Sequence, residues 1–273
     1  MDALTPKEIM EKVSDSSVPK ATGSFGKLFI LSILAGVFIA LGAQASLMGS
    51  YNLLADPDTF GLGKLVMGAI FPVGLMIVIM CGAELFTGNC MMVIGALDKK
   101  ICWSSIWRNW TIVYAGNFVG AILIVLCIFI SDFSYSSDGL LGAITVKTAV
   151  GKCNMGFIKA VVMGILCNVL VCLAIWMATG SPQTIGKIFA CWFVVGLFVL
   201  SGFEHSIANM YFVPAGILAS GQEAFLQLPD LDISGLTWGA FFIRNLFPVT
   251  IGNILGGSLF VGATYWLTYR KLI

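Results

Sequence analysis

His205 is the chain's single histidine and its one side chain whose ordinary titration falls near neutrality. It sits in Gly202-Phe-Glu204-His205-Ser-Ile-Ala-Asn209, a polar interruption of a long apolar run. An earlier apolar run is interrupted by Gly82-Ala-Glu84-Leu-Phe-Thr87-Gly-Asn89, and both stretches fit G-x-E-x4-N. A lone histidine in apolar surroundings is usually a satisfied core group. Irregular backbone at membrane depth, however, is tolerated where it lines a cavity. There an imidazole can hold or shuttle a proton, and that is the role expected of His205. Thr87 can offer its hydroxyl to an anion, with capping of the following half-helix as the alternative. Glu84 and Glu204 are costly in hydrocarbon, so they are expected to brace the breaks, either by accepting hydrogen bonds from freed backbone N–H groups or by holding the neighbouring chain; proton carriage is the alternative. Asn89 and Asn209 can donate and accept at once, which suits them to backbone that a break leaves unpaired, with substrate contact as the alternative. Half-helix N-termini pointing into the gap would add partial positive charge that favours anions.

The elements that must position these groups follow from composition. The 273 residues are 58% hydrophobic and 11% charged, against roughly a quarter charged in a soluble domain. A bilayer crossing needs about 20 apolar residues, and six such spans fall at about 28–49, 65–97, 106–131, 156–178, 187–219 and 239–268. The second and fifth are too long for one crossing and carry the interruptions, so both are expected to be broken helices. The fold class is therefore all-α, a polytopic membrane protein. A net charge of +1 provides neither a basic footprint for nucleic acid nor an acidic tail. The eight cysteines contain no CxxC pair and lie mostly in apolar runs, which makes them small buried hydrophobes rather than disulfides or metal ligands. No nucleotide-binding glycine loop, zinc-spaced ligand set or nucleophile with a nearby base is present. Neither an enzyme nor a cofactor is expected, and one histidine is too few for haem or quinone chemistry.

The first 26 residues are polar, and the apolar run begins too late for a cleavable signal peptide. They read as a cytosolic amphipathic helix with Leu4, Ile9, Met10 and Val13 on one face. Lysine and arginine concentrate in this segment, the 98–108 and 179–187 turns and the C-terminus. The opposite connections hold Lys64, Lys147, Lys152, Lys159 and Arg244 beside Asp56, Asp58, Asp132, Asp138, Glu223, Asp230 and Asp232. Retention of positive charge inside places both termini in the cytoplasm, with the chain in the plasma (inner) membrane. A second repeated pattern, R-N-x6-G-N-x2-G, opens at Arg108-Asn109 in the third span and at Arg244-Asn245 in the sixth. Two matches in the same order indicate a duplication, and three spans per half force the second copy to insert upside down. The resulting organisation is an N-terminal segment, 1–26, and a channel domain, 27–273, with halves of about 27–131 and 155–270. Gly116-x3-Gly120 and Gly252-x3-Gly256 are read as close helix packing.

In Ala83-Glu-Leu-Phe-Thr-Gly-Asn89, Asn168-Val-Leu-Val-Cys-Leu-Ala-Ile-Trp176 and Ser201-Gly-Phe-Glu-His-Ser-Ile-Ala-Asn-Met210, and over most of the chain from about Phe25, the sequence resembles the formate/nitrite transporter family. The resemblance implies a homopentamer of six-helix protomers with an aquaporin-like fold and one pore in each. It implies that His205 is the central pore histidine and that Thr87 faces it. Asn168 is then the pore-side asparagine of the fourth helix, and Lys152 the lysine that precedes that helix and gathers anions at the mouth. Leu85 and Phe198 correspond to an apolar constriction on one side of the histidine, and Phe71 and Leu75 to further narrowing. The cargo is a small monovalent weak-acid anion, formate before hydrosulfide or nitrite. A neutral-solute channel of the aquaporin or ammonia type is the rival reading. Paired Asn-Pro-Ala boxes are absent, and the lysine and histidine point to anions.

Overall fold

The computed structural model describes residues 2–228 and 231–271. Met1, Asp230 and the last two residues of the 27–273 unit lie outside the described residues. Regular structure among the described residues is entirely helical. An amphipathic helix α1 (Pro6–Thr22) leads into α2 (Phe25–Ala55), then α3 (Phe60–Ile70) and α4 (Val73–Met80), the short helices α5 (Phe86–Asn89) and α6 (Val93–Leu97), and α7 (Trp103–Ile130). The second half runs α8 (Leu140–Cys153), α9 (Phe157–Gly180), α10 (Thr184–Ser201), α11 (Ser206–Ala219) and α12 (Trp238–Arg270). Six of these helical stretches are long and apolar enough to cross a membrane: α2, the α3–α4 pair, α7, α9, α10 and α12. Ile130, Ile158 and Ile243 are each at least 70% exposed, an arrangement that suits hydrocarbon and not water.

Both expected breaks are present, and each begins at the glycine of its G-x-E motif. Gly82 (φ +71°) and Gly202 (φ +75°) take the left-handed conformation, which a side chain would oppose. The chain then runs extended to Leu85 (φ −110°, ψ 124°) and to His205 (φ −109°, ψ 115°), equivalent positions from which α5 and α11 start. The second span has a further discontinuity at Phe71-Pro72, between α3 and α4, because proline has no N–H to continue the ladder. The glycine patterns act as close-packing sites. A Cβ on Gly120 would strike the Ile33 carbonyl of α2, and one on Gly256 would strike the Ile165 carbonyl of α9. The first and fourth spans thus receive α7 and α12 in matching ways although their own sequences match weakly.

Two features were not anticipated in detail. Residues 132–155, between the third and fourth expected spans, contain α8, which packs on α11 and α2 and buries Leu141, Ile144, Val146 and Ala149. The helix at the N-terminus is capped by Thr5 and Glu8 in a reciprocal box and buries Ile9, Met10 and Val13 against Met91, Ile94, Trp176 and Val261. Leu4 precedes that helix, and its N–H donates to the Gly180 carbonyl. α1 therefore belongs to the folded body.

Candidate functional site

The two breaks leave backbone groups that no helix ladder can satisfy, and matching side chains satisfy them in both halves. The Phe86 N–H donates to Asn117 Oδ1 at 3.0 Å and the Ser206 N–H to Asn253 Oδ1 at 2.9 Å. Asn117 Nδ2 returns hydrogen bonds to the Ser32 and Glu84 carbonyls, and Asn253 Nδ2 to those of Gly164 and Glu204. The Glu84 N–H reaches the Leu31 carbonyl and the Glu204 N–H that of Met163. Freed backbone at the breaks is thus held by the second asparagine of each R-N-x6-G-N-x2-G motif, so the repeat signature also has a structural role.

The glutamates hold neighbouring helices rather than freed backbone N–H groups. Lys20 Nζ donates to both carboxylate oxygens of Glu84 at 2.8 and 2.9 Å and to Asn89 Oδ1 at 2.8 Å. Lys152 Nζ donates to Glu204 Oε1 at 2.8 Å and lies 5.3 Å from the centre of the Phe212 ring. Asn89 donates to Glu84 and to Asn109, as Asn209 does to Glu204 and to Asn245. Asn109 then donates to the Lys20 carbonyl and Asn245 to that of Lys152. Each carboxylate is therefore neutralised by a lysine and held by an asparagine, the condition under which a buried charge persists. Lys20 is the internal counterpart of Lys152. Both lie in the last turn of an amphipathic helix, α1 or α8, and five residues before Phe25 or Phe157, where the next span begins. The repeated structural unit thus reaches upstream of positions 27 and 155.

The halves meet at a polar bridge. Thr87 Oγ1 lies 2.9 Å from His205 Nε2, and both residues are buried. His205 Nδ1 accepts the Ala208 N–H at 3.1 Å and so caps α11. With Nδ1 acting as acceptor, the neutral ring carries its proton on Nε2 and donates to Thr87, which leaves the threonine O–H free to donate onward. Asn168 Nδ2 holds the carbonyls of Thr87 and Asn253 at 3.1 and 2.6 Å. Buried Asn168 Oδ1 and Ser206 Oγ find no partner among the described residues, so hydrogen-bonding capacity remains open beside the bridge.

A cavity approaches the bridge from each end. One of about 230 Å³ is lined by Lys20, Glu84, Leu85 and Asn89, and another of about 310 Å³ by Lys152, Glu204, Phe71, Phe198 and His205. Phe71 packs edge-on to Phe198 at 5.7 Å, and Phe198 stacks on His205 at 5.9 Å. Leu85 and Phe198 therefore border opposite cavities and do not form a single ring on one side of the histidine. Leu75 is buried on α4, and it and Phe71 flank the Pro72 discontinuity. Because Lys152 is bound to Glu204, its charge is compensated where sequence had suggested an attracting cation. Sequence reasoning missed Lys20, Asn109, Asn117, Asn245 and Asn253; their signals were the second repeat motif and the shared K-x4-F spacing of Lys20–Phe25 and Lys152–Phe157.

Comparison with known proteins gives concordant matches. The family model described as formate/nitrite transporter matches residues 7–267. Formate channel FocA of Escherichia coli K12 is 40% identical, covering 99% of this chain and 96% of its own length. A probable formate transporter of Methanothermobacter thermautotrophicus is 39% identical, covering 98% and 97%. Among solved structures, a pentameric formate channel with formate bound superposes with a TM-score of 0.77 at 35% identity, covering 90% of this chain and 98% of its own. An FNT family ion channel superposes at 0.81 and 30% identity, covering 96% and 98%.

Proposed function

This chain belongs to the formate/nitrite transporter family, and on that premise we propose that it is a homopentameric membrane channel carrying formate through a pore in each protomer. It acts in the plasma (inner) membrane with both termini cytoplasmic, and it passes its cargo without catalysing a reaction on it. The observation that carries this reading is the 2.9 Å contact between His205 Nε2 and Thr87 Oγ1, which joins the two helix breaks between two cavities. Formate entering from the Lys152 side sheds water at the Phe71 and Phe198 rings, which cannot replace its hydration. Beyond them the Thr87 O–H, left free because Thr87 Oγ1 accepts the imidazole Nε2–H, can donate to it, and the half-helix N-termini supply partial positive charge. A proton taken from water in the Lys152-side cavity neutralises formate there, so that it crosses the apolar wall at Leu85 as the uncharged acid and gives the proton to water in the cavity beyond. Asn168 holds the Thr87 backbone in place, and the Lys–Glu–Asn clusters keep both breaks open.

The test is flux in proteoliposomes, comparing formate with nitrite, hydrosulfide, ammonia and water. We expect formate to pass fastest and His205→Asn to abolish or misdirect its passage while the pentamer stays intact. Unchanged formate flux and pH dependence in His205→Asn would remove the histidine from the mechanism. Faster passage of water or ammonia than of any anion would overturn the proposed cargo class.

A further inference from the structure

The two cavities differ in charge. On the α1 side Lys20 faces Glu84, one cation against one carboxylate. The other cavity is bordered by Lys64, Lys147 and Lys152 but by Glu204 alone among carboxylates, and Lys152 is the lysine bound to it. Lys64 and Lys147 form no ion pair among the described residues. Lys64 is well placed to act inside the cavity: its Nζ is 3.8 Å from where a Cβ on Gly202 would sit, at the mouth of the second break.

The walls are aromatic. Phe60, Lys64, Met67 and Phe71 follow helical spacing down one face of the α3 segment, and all four line the cavity. Phe203 and Phe212 contribute further rings. The inner end closes at Phe71 and Phe198, each 2–3% exposed with ring centres 5.7 Å apart. A volume of about 310 Å³ lies at the lower end of organic-ligand sites. It combines excess positive charge with faces on which an aromatic ring can stack.

We propose that this vestibule is a binding site for an aryl monoanion, a carboxylate or sulfonate carried on one aromatic ring, which it holds without passing. The anionic group lies between Lys64 and Lys147, and the ring packs on the phenylalanines, too wide for the gap between Phe71 and Phe198. A bound arene then plugs the pore from the Lys152 side. The block of flux rests on the formate reading above, whereas binding itself does not, so two readouts separate the two ideas.

The probe is benzenesulfonate, which stays charged and does not cross lipid as a neutral acid; benzenesulfonamide is the uncharged control of nearly the same shape. Binding is read by saturation-transfer NMR on the pentamer in nanodiscs, and block by formate flux in proteoliposomes. Benzenesulfonate is expected to bind and to slow flux when added on the Lys152 side. The double variant Lys64→Gln/Lys147→Gln should raise the required concentration by about a hundredfold, because two charge-assisted contacts are lost, and benzenesulfonamide should bind far more weakly. Binding with no formate flux at all would leave this site standing and count against formate as cargo. Equal affinity for the sulfonamide, or unchanged affinity in a folded double variant, would overturn the proposal.

Discussion

Replacing Lys152 with methionine tests whether the lysine–glutamate clusters sustain the breaks. The substitution keeps most of the side chain's volume but leaves Glu204, whose side chain is 6% exposed, without its cation. Two amide donors remain, from Asn209 at 2.6 Å and Asn245 at 3.4 Å, both on Oε2. Oε1 loses its partner outright. Removing one member of a buried ion pair costs about 3–5 kcal/mol. The lysine side chain's 15% exposure lets water reach the remaining charge, which points to the lower end, about 3 kcal/mol. The second step is the more informative. Adding Glu204→Gln removes the stranded charge while keeping an oxygen for Asn209, so the double variant should regain about 2 kcal/mol relative to Lys152→Met, by the logic of a double-mutant cycle. Lys20→Met should cost less, since Lys20 and Glu84 side chains are 27% and 13% exposed. The assay is unfolding of purified protein in mixed micelles with increasing SDS, followed by tryptophan fluorescence, alongside formate flux. A double variant no more stable than Lys152→Met would refute the view that charge compensation, and not lysine packing on Phe212, secures this break.

The apolar walls and the seam between α1 and α12 make separate predictions. Leu85 lines the α1-side cavity and is 3% exposed, so Leu85→Ala should raise formate flux or admit larger monocarboxylates in a liposome uptake assay; identical rates and selectivity would remove Leu85 from the barrier. Asp98 joins α1 to the end of α12: it accepts from Ser14 at 2.6 Å, Trp266 at 2.7 Å and Arg270 at 3.2 and 3.3 Å. Burial pushes its carboxyl up, but hydrogen bonds from Ser14, Arg270 and Trp266 and the Arg270 charge outweigh this and hold it below the ordinary value of 3.8. A lowered folded value means that Asp98 contributes docking energy fully above that ordinary value and loses it as pH falls through the folded one. Limited proteolysis within residues 6–22 should therefore accelerate only in strongly acidic buffer, and Asp98→Asn should be cleaved faster at pH 7; equal cleavage of the two proteins at pH 7 would deny Asp98 that role.

The spans and breaks were legible because hydrocarbon imposes a strict rule on sequence. A crossing needs an apolar run, and a polar interruption within one needs partners. Glycine at Gly82 and Gly202 also follows from physics readable in one dimension, since a left-handed turn has few other occupants. α8 was not legible in this way. Its face is divided between Leu141, Ile144 and Val146 against neighbouring helices and Lys147 and Lys152 at the cavity, so it has neither the length of a span nor the polarity of a loop. Its packing depends on Phe225 seating over Gly142 and on Gly216 admitting Ala149, contacts between segments far apart in sequence.

The polar network was half legible, and the missing half was a matter of assigning partners. Sequence identified Glu84, Asn89, Glu204 and Asn209 as bracing groups because their types and depth require it, but type alone does not say which donor meets which acceptor. A carboxylate beside a break looks suited to free backbone N–H groups. The fold instead gives those to neutral Asn117 and Asn253 and directs the carboxylates to lysines. Charge explains the division. Backbone amides offer a carboxylate dipoles only, whereas an ammonium also cancels its charge, and in a low-dielectric interior that cancellation outweighs any single hydrogen bond. Once a buried glutamate is seen, a lysine must be sought in the same half. Lys152 has that place in the second half, and applying its spacing from Phe157 to Phe25 leads to Lys20. The segment before the first span thereby becomes part of the pore's structure, because it supplies the only cation that contacts Glu84 among the described residues.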